Sequence, residues 1–323
     1  MKPASPPPGP HQGLSGLPVK KLLLVLGFAA TAYAVVMLGW GEGSKTSVDL
    51  LASWAGAQAA GLCLASYLLR GLRWRIWMAH YGRTFGLLEG LRLYLAGYAF
   101  TPTPGNVGEA LRGLMLARQP LGTAQSLAIF GAERLADLLC LLLLCLPAAA
   151  WALSHVQVQD MIQASPLLFS GLSWVAAGVA VVLVVLAIRY AGRMAKRIIW
   201  LQDAWRCLAV KPLLWLALTL TAWVAQGFAL WLLCRAMDVN LPLATAIGFY
   251  AVAMVAGALS ALPAGLGSME AVLAGLLVAQ SASGAEALTI TLVARLLTLW
   301  LAVLIGVVCL VYSAALKKDI SFS

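Results

Sequence analysis

The segment TPTPGNVGEALR, residues 101–112, interrupts a long apolar part of the chain. Proline cannot donate the helical hydrogen bond and glycine permits a positive φ, so this composition predicts a break between two helical limbs, residues 87–100 and 107–116. Broken backbone at membrane depth is tolerated only where protein buries it or where it lines a wet cavity. We therefore predict a hairpin with a polar tip; the alternative is a short surface loop whose charges lie in water. The residues expected to make this break are Pro102, Pro104, Gly105 and Gly108.

A second segment, LPAGLGSMEA at residues 262–271, repeats the same pattern. Three pairs of residues share one offset of 161 positions: Pro102 and Pro263, Glu109 and Glu270, Arg134 and Arg295. Weak internal symmetry of this kind is how many transporters are built, so we predict a duplication, with coincidence as the alternative. The second break is expected at Pro263, Gly265 and Gly267.

The composition is that of a membrane protein. Of the 323 residues, 62% are hydrophobic and 11% are charged, against about 25% charged residues in soluble domains. The net charge of +10 then suits cytoplasmic loops beside anionic headgroups rather than a nucleic-acid partner. The six cysteines and three histidines have no metal-ligand spacing, and no phosphate-binding loop is present. We therefore expect no metal site, no cofactor, no disulfide and no catalytic residue.

Apolar run lengths predict the layout of the chain. Residues 1–17 are rich in Pro, Gly and Ser and are expected to form a disordered tail, followed by a single transmembrane domain over residues 18–323. Its two repeats cover about residues 18–152 and about 166–315. Runs long enough to span a bilayer occur at about 20–40, 48–69, 122–152, 166–189, 212–234 and 286–315. The broken segments, about 87–118 and 243–280, are expected to be re-entrant hairpins.

The basic residues predict the orientation. Lys and Arg collect in the N-terminal tail, in 70–86, 112–120 and 189–211, and at the C-terminus, whereas the intervening loops carry one or none. The positive-inside rule then places both termini in the cytoplasm, and we expect a bacterial inner membrane. Each half holds three spans and one hairpin, so the second half is inverted relative to the first. The predicted fold is an all-α polytopic membrane protein with an inverted structural repeat, about six spans and two re-entrant helical hairpins whose tips meet near the midplane.

Two basic, aromatic stretches flank this predicted core. Residues 70–77 (RGLRWRIW) and residues 193–206 both combine arginine with tryptophan. This composition predicts helices that lie in the cytoplasmic interface of the membrane. Binding of anionic headgroups and ordinary anchoring of the topology both remain open as their role.

Ionisable residues in the apolar segments form the candidate site. Glu133 and Asp137 are four positions apart and so share a helix face, and Arg134 is three positions from Asp137. A charge at the bilayer centre costs about 2.5–3.5 kcal/mol, so these groups need pairing or water. They form either a closed salt-bridge network or a polar cavity for an anionic headgroup. The candidate substrate-binding residues are Glu109, Arg112, Glu133, Arg134, Asp137, Glu270 and Arg295.

Three tyrosines accompany this set: Tyr94 and Tyr98 lie one turn apart on the first hairpin limb, and Tyr250 lies on the matching limb. They either line the cavity or simply pack between helices.

The ordered set of motifs resembles a known family, the flippase-like transmembrane domain of lysylphosphatidylglycerol synthases and their stand-alone relatives. The resemblance rests on the Arg73-Trp74 loop, residues 102–112, Glu133-Arg134 with Asp137, residues 263–270, and Arg295 with Trp300. It implies a lipid-translocating domain; in two-domain members this domain flips an aminoacylated phospholipid made by a soluble synthase domain. Here the chain ends at Ser323 soon after the last span, so aminoacyl transfer is not expected. Relatives carry a basic residue near Asn106, and the asparagine here leaves the headgroup open.

These observations together predict a lipid flippase rather than an enzyme. The substrate would be an anionic or zwitterionic amphiphile: a phospholipid, a polyprenyl-phosphate glycolipid or a hopanoid-type lipid. Expected partners are membrane lipids and enzymes of lipid or glycan synthesis, with no nucleic acid. Two alternatives stay open, a membrane-embedded transferase that uses Glu133 and Asp137 as base and metal ligand, and an accessory scaffold of a lipid-synthesis complex.

Overall fold

The structure is a computed structural model that describes residues 42–103, 109–113, 121–154, 199–260 and 262–320. Within these ranges every regular element is helical, as predicted from the composition. The predicted tail at 1–17 and the predicted spans at 20–40 and 166–189 lie outside the described residues. The described helices are, in chain order, α1 (Glu42–Ala52), α2 (Trp54–His80), α3 (Leu87–Ala96), α4 (Thr123–Leu144), α5 (Leu146–Ser154), α6 (Ile199–Ala209), α7 (Pro212–Ala236), α8 (Leu243–Leu259), α9 (Ser268–Ala279), α10 (Gly284–Arg295) and α11 (Leu301–Ile320).

Three stretches of helix are long and apolar enough to cross a membrane. They are Thr123–Ser154, Pro212–Ala236 and Gly284–Ser313, with 32, 25 and 30 residues, against the roughly 20 that a span requires. The last stretch runs from α10 to α11 through a π-helical turn at Leu296–Trp300. These stretches confirm apolar helices at the predicted spans 122–152, 212–234 and 286–315.

The predicted span at 48–69 contains a break that the sequence analysis did not predict. The chain bends by 68° between α1 and α2. Ser53 makes the corner, because its hydroxyl donates to the Leu50 carbonyl at 2.6 Å and accepts from the Gly56 amide at 3.1 Å. A Cβ at Gly56 would lie 2.5 Å from the Leu50 carbonyl oxygen, so the close approach of the two helices requires glycine there. The helix after the corner also continues to His80, well beyond the predicted end.

The second predicted hairpin is broken where the sequence indicates. Its limbs, α8 and α9, have 17 and 12 residues and are shorter than a membrane-spanning helix. Between them Pro263–Gly265 form a 3₁₀ turn, and φ is +53° at Ala264, +66° at Gly265 and +87° at Gly267. A Cβ at Gly265 would lie 2.9 Å from the Gly257 Cα, so glycine meets both a backbone and a packing requirement.

The first predicted hairpin is described in part. Helix α3 passes into a 3₁₀ turn at Gly97–Phe100, and the helical structure ends before Pro102, as predicted. Thr101–Thr103 form a turn in which the Thr103 amide donates to the Phe100 carbonyl at 3.2 Å. The predicted break residues Pro104, Gly105 and Gly108 lie outside the described residues, and the description resumes at residues 109–113.

The packing centres on α2 and α7, which form the most extensive helix–helix contact. Some of the other contacts come in related pairs: α1 packs on α10 as α6 packs on α4, and α3 packs on α11 as α8 packs on α5. When 161 is added to or subtracted from the residue numbers, the helices of one contact in each pair fall at the helices of the other contact. The same shift brings the residue range of α2 onto that of α7. This is the arrangement of contacts that an internal duplication would produce.

Helix α4 shows how the membrane setting orders its faces. Its inward face carries the small residues Ala132, Ala136 and Cys140, which are buried. Its outward face carries leucines, including Leu139 and Leu142, which are 48% and 52% exposed. Small residues toward neighbouring helices and large apolar residues toward lipid are typical of membrane helices. The inward face also carries Glu133 and Asp137, and this positions the candidate site.

Candidate functional site

A buried ion-pair cluster forms where the first hairpin meets α4. The Arg112 guanidinium donates to Glu109 at 3.0 Å and to Glu133 at 2.9 Å, and all three side chains are at most 3% exposed. Glu109 also accepts the Thr101 hydroxyl at 2.9 Å. The Arg112 guanidinium lies 4.5 Å from the ring centroid of Tyr94. The structure thus brings together Glu109, Arg112 and Glu133, which the sequence had proposed for one site.

Two atoms of this cluster lack a partner among the described residues. They are Glu133 Oε1 and Arg112 Nη1, both buried. A void of about 10 Å³ borders both residues. Its size approaches that of a single bound water, the usual way to satisfy such groups.

Asp137 is held by a residue that the sequence analysis placed elsewhere. Arg73 donates to Asp137 at 2.6 Å and to the Thr219 hydroxyl at 3.0 Å, and it is fully buried. The Trp223 indole N–H also donates to Asp137, at 3.3 Å. The prediction of an interfacial helix, and of a loop, around Arg73 is therefore wrong.

The reason lies in the length of α2, which continues without interruption into the protein interior. No proline occurs between residues 54 and 80, and this signal could have indicated that the helix does not end near residue 69. Arg73 also lies seven positions after Ser66 and four before Trp77, and all three are buried on one face. The second predicted interfacial stretch is residues 193–206, of which 193–198 lie outside the described residues. The remainder belongs to α6, where Trp205 and Arg206 are exposed and Ala204 and Cys207 are buried.

Arg134 is the least constrained cation of the cluster. Its Nη2 lies 3.4 Å from Glu109 and 3.6 Å from Asp137, longer than the other buried pairs. Its side chain is 38% exposed, whereas those of Arg73 and Arg112 are nearly inaccessible. Its Nε has no hydrogen-bond partner among the described residues. Arg134 therefore has the freedom to turn toward a ligand.

The second half carries a separate pair at the tip of its hairpin. Arg295 Nε donates to Glu270 at 2.7 Å, and its Nη2 donates to the Ala264 carbonyl at 2.9 Å. The other Glu270 oxygen accepts the Gly267 amide at 2.8 Å, which caps the start of α9. Arg295 thus fixes the broken backbone directly. Glu109 with Arg134 and Glu270 with Arg295 form ion pairs at the same sequence spacing of 25 residues.

Arg70 and two neutral polar side chains, Gln226 and Tyr250, lie next to this site. Arg70 donates to Gln226 at 2.9 Å, and its guanidinium lies 3.9 Å from the centroid of the Trp223 ring. The Tyr250 hydroxyl donates to the same Gln226 oxygen at 3.2 Å.

The tyrosines pack between helices rather than line a cavity. Tyr94 and Tyr98 are buried against each other, with their hydroxyls 3.2 Å apart, and Tyr250 is buried as well. Packing is therefore the interpretation that holds for all three.

A cavity of about 330 Å³ separates the two predicted arginine positions. Arg134 and Asp137 line it from α4, Arg295 lines it from α10, and Trp223 contributes from α7. Most of the remaining wall is apolar and comes from α8 and the tip of the second hairpin. The volume is at the lower end of the range for small-molecule sites, so it suits a headgroup rather than a whole lipid.

The cavity wall carries side chains that can donate to an anion. Two guanidiniums and one carboxylate are the ionisable groups of the cavity wall, and that carboxylate is held by Arg73. Arginine offers a planar set of donors that matches carboxylate and phosphate oxygens. Among the described residues, no group of three or more His, Cys, Asp or Glu side chains could hold a metal ion.

Comparison with known proteins shows the family to which the chain belongs. The family described as the lysylphosphatidylglycerol synthase TM region matches residues 22–306. A UPF0104 membrane protein from Methanothermobacter thermautotrophicus is 35% identical over 91 residues, which is 28% of this chain and 27% of that protein. The second match thus spans about a quarter of the relative's length, whereas the family match spans most of this chain. The resemblance that the motifs indicated is confirmed, and this chain belongs to the family of the lysylphosphatidylglycerol synthase transmembrane region.

Proposed function

We propose that this protein is a lipid flippase that moves an anionic or zwitterionic amphiphile between the leaflets of a membrane. The observation that carries the proposal is the cavity bounded by Arg134 on one side and Arg295 on the other. Candidate substrates are phospholipids, polyprenyl-phosphate glycolipids and hopanoid-type lipids. The protein would act without catalytic residues and without a cofactor.

The cavity is amphipathic in the way that a lipid path requires. Its polar groups lie inside, whereas Leu138, Leu259 and Leu262 line it while being 42%, 79% and 47% exposed. An apolar, exposed rim lets the lipid tail stay in the hydrocarbon region while the headgroup enters. The desolvation that a headgroup would suffer in lipid is thereby offset by charge-assisted hydrogen bonds.

The fold proposed for this activity is the inverted repeat. Two observations support it. Helix contacts recur between elements 161 residues apart, and each half contains one glutamate–arginine pair at the same spacing. In this arrangement one hairpin enters from the cytoplasm and the other from outside, both termini are cytoplasmic, and the membrane is the bacterial inner membrane. Opening on alternate sides would then present the headgroup to one leaflet and then to the other.

The predicted roles follow from the geometry. Arg134, with its long ion pairs, contacts the headgroup, and Glu109 and Asp137 hold it when the site is empty. Arg295 contributes from the opposite wall and fixes the hairpin tip through Ala264. Arg112 and Glu133 are buried behind this wall and orient Glu109.

Transport of labelled lipids in proteoliposomes tests the proposal. Arg134→Gln and Arg295→Gln should each lower the translocation rate about 10- to 100-fold, because each removes charged hydrogen bonds of about 1.5–3 kcal/mol. Arg206→Gln is the matched control: it removes an equal charge from a side chain that is 70% exposed. Normal rates in both site variants would show that the arginines are not the site.

Mass spectrometry of co-purifying lipids identifies the substrate class. The wild type in mild detergent should enrich one lipid class that an Arg134→Ala/Arg295→Ala double variant loses. Bulk membrane composition in both proteins would favour an accessory scaffold, and enzymes of lipid or glycan synthesis would then be sought as partners. A membrane-embedded transferase is disfavoured because Asp137 is already engaged by Arg73.

A further inference from the structure

Among the described residues of the first half, the buried charges around α4 do not balance. We define the charged layer as the four guanidiniums and three carboxylates that interact around α4, namely Arg70, Arg73, Arg112 and Arg134 with Glu109, Glu133 and Asp137. With all seven groups ionised, the layer carries one surplus positive charge. In the second half Arg295 and Glu270 cancel each other.

The surplus can be assigned to Arg70. Arg73, Arg112 and Arg134 each contact a carboxylate, whereas the nearest partners of Arg70 are the neutral Gln226 and the Trp223 ring. Its Nε is buried without a hydrogen-bond partner among the described residues. Arg70 interacts electrostatically with Asp137 but forms no ion pair with a described carboxylate, so an approaching anion stabilises this partly buried cation.

Trp223 connects this surplus to the cavity. One face of its indole contacts the Arg70 guanidinium at 3.9 Å, its N–H donates to Asp137, and the side chain lines the cavity. The positive charge of Arg70 is therefore one aromatic ring away from the place where a headgroup would lie. In an environment shielded from water its field is only weakly screened.

Among the described residues, the cavity wall offers a headgroup cation one carboxylate, and that carboxylate is already engaged by Arg73. Asp137, the carboxylate of the wall, already accepts from Arg73 and Trp223. Glu109 and Glu133 are bonded to Arg112, and both oxygens of Glu270 are used by Arg295 and Gly267. An ammonium group entering the cavity would have to share Asp137 with Arg73 and Trp223.

We propose that the cavity selects lipids with a monoanionic, phosphate-type headgroup over zwitterionic and cationic ones, because the surplus charge at Arg70 is neutralised by one such anion. This inference rests on the proposed flippase function and narrows its substrate. It separates this chain from a site built for an aminoacylated, amine-bearing headgroup.

The test compares two lipids in one assay. Proteoliposomes of phosphatidylcholine receive a trace of acyl-labelled phosphatidylglycerol or acyl-labelled phosphatidylethanolamine, and the rate of translocation is measured for each. Wild-type protein should move the monoanionic lipid about tenfold faster, since an unscreened unit charge changes affinity by that order. Equal rates for the two lipids would overturn the selectivity while leaving the flippase function intact. Translocation of neither lipid would contradict a phospholipid flippase, and with it the proposed selectivity.

Two variants test whether Arg70 is the cause. Arg70→Gln removes the surplus charge, and Gln226→Glu supplies a carboxylate at the atom that Arg70 already contacts. Both should bring the ratio of the two rates close to one. Arg70→Lys and the exposed Arg206→Gln should keep it. If Arg70→Gln fails to fold, Gln226→Glu still decides, and a ratio unchanged from wild type in that variant would refute the assignment.

Discussion

At the residue scale, Arg73 is the arginine that the sequence analysis placed in the membrane interface and that the structure buries completely. Arg73 is inaccessible to solvent and its charge is matched by Asp137 at 2.6 Å. Forming such a pair gains little net stability, because both groups lose their hydration. Removing one partner destabilises the protein strongly, because the remaining group is left charged and unpaired in the interior.

This asymmetry gives a prediction for stability. Arg73→Gln should destabilise the protein by about 3–5 kcal/mol, the range seen when one partner of a buried pair is removed. The midpoint of thermal unfolding in detergent measures the effect. The double variant Arg73→Leu/Asp137→Leu should recover part of the loss, because neither charge is then left unpaired.

The surface pair Arg206 and Asp203 is the control for this comparison. These side chains lie 3.1 Å apart, and that of Arg206 is 70% exposed. Arg206→Gln should change stability by no more than about 0.5 kcal/mol, as is usual for exposed pairs. An equal loss in Arg73→Gln and Arg206→Gln would contradict the assignment of Arg73 to a buried ion pair.

The sequence predicted several of these residues because their chemistry is unusual in an apolar segment. Glu109, Glu133, Arg134 and Asp137 have few explanations other than mutual pairing, and the structure places them together. Arg73 escaped because arginine beside tryptophan is also typical of a membrane interface. Which setting applies depends on where the helix lies in the protein, and a local pattern does not contain that information.

At the scale of elements, close helix contacts depend on glycines. Gly306 on α11 faces the chain at Tyr98 and Ala99, where α3 has passed into its 3₁₀ turn. A Cβ on Gly306 would lie 2.7 Å from the Tyr98 carbonyl carbon and would also overlap the Ala99 amide nitrogen. Both of these atoms belong to the backbone, so rotation of a side chain cannot relieve the overlap.

We therefore expect Gly306→Ala to destabilise the packing of α11 against the first hairpin by about 1–3 kcal/mol, the usual cost of overpacking. The measurement is the thermal unfolding midpoint, together with lipid transport. Gly61→Ala is the matched control, because Gly61 also lies in a helix and an added Cβ there meets no atom within 4 Å. The control should be neutral or stabilised by up to about 1 kcal/mol. Identical behaviour of the two variants would contradict the packing argument.

The element boundaries show where local signals suffice. The break at Pro263 is encoded by proline and glycine and occurs where predicted. The bend at Ser53 has no such marker, because a serine followed by Trp54 is compatible with a continuous helix. The two hydrogen bonds of the Ser53 hydroxyl are local and cap the start of α2, but the bend also depends on the contact that Gly56 permits, which exists only once α1 and α2 have packed.

At the scale of the whole molecule, the proposed inverted repeat predicts which loops face which side of the membrane. Thr84, in the loop between α2 and α3, should be cytoplasmic, and Asp238, after α7, should be outside. Both side chains are exposed. In whole cells, Thr84→Cys should resist a membrane-impermeant thiol reagent until the cells are permeabilised, whereas Asp238→Cys should react at once.

The native cysteines make a suitable background for this experiment, since those at 63, 140, 207 and 234 are buried and those at 145 and 309 are half-buried. The unmodified protein is the control for their labelling. Labelling of both variants from the same side would exclude the proposed arrangement of the two halves.

The sequence by itself determined that this is a helical membrane protein and that its helices break at Pro102 and Pro263. It also determined that each break is followed by a glutamate and an arginine 25 residues apart. These features are local or periodic, because they follow from hydropathy, from the backbone limits of proline and glycine, and from the cost of isolated charge in lipid. Tertiary structure alone decided that Arg73 neutralises Asp137, that Arg70 contacts the neutral Gln226 and Trp223, and that a cavity separates Arg134 from Arg295. Such facts depend on the distances between α2, α4, α7 and α10, which pack together from distant parts of the chain. A charge's effect is set by what surrounds it in space, and the spacing of residues along the chain does not specify those surroundings.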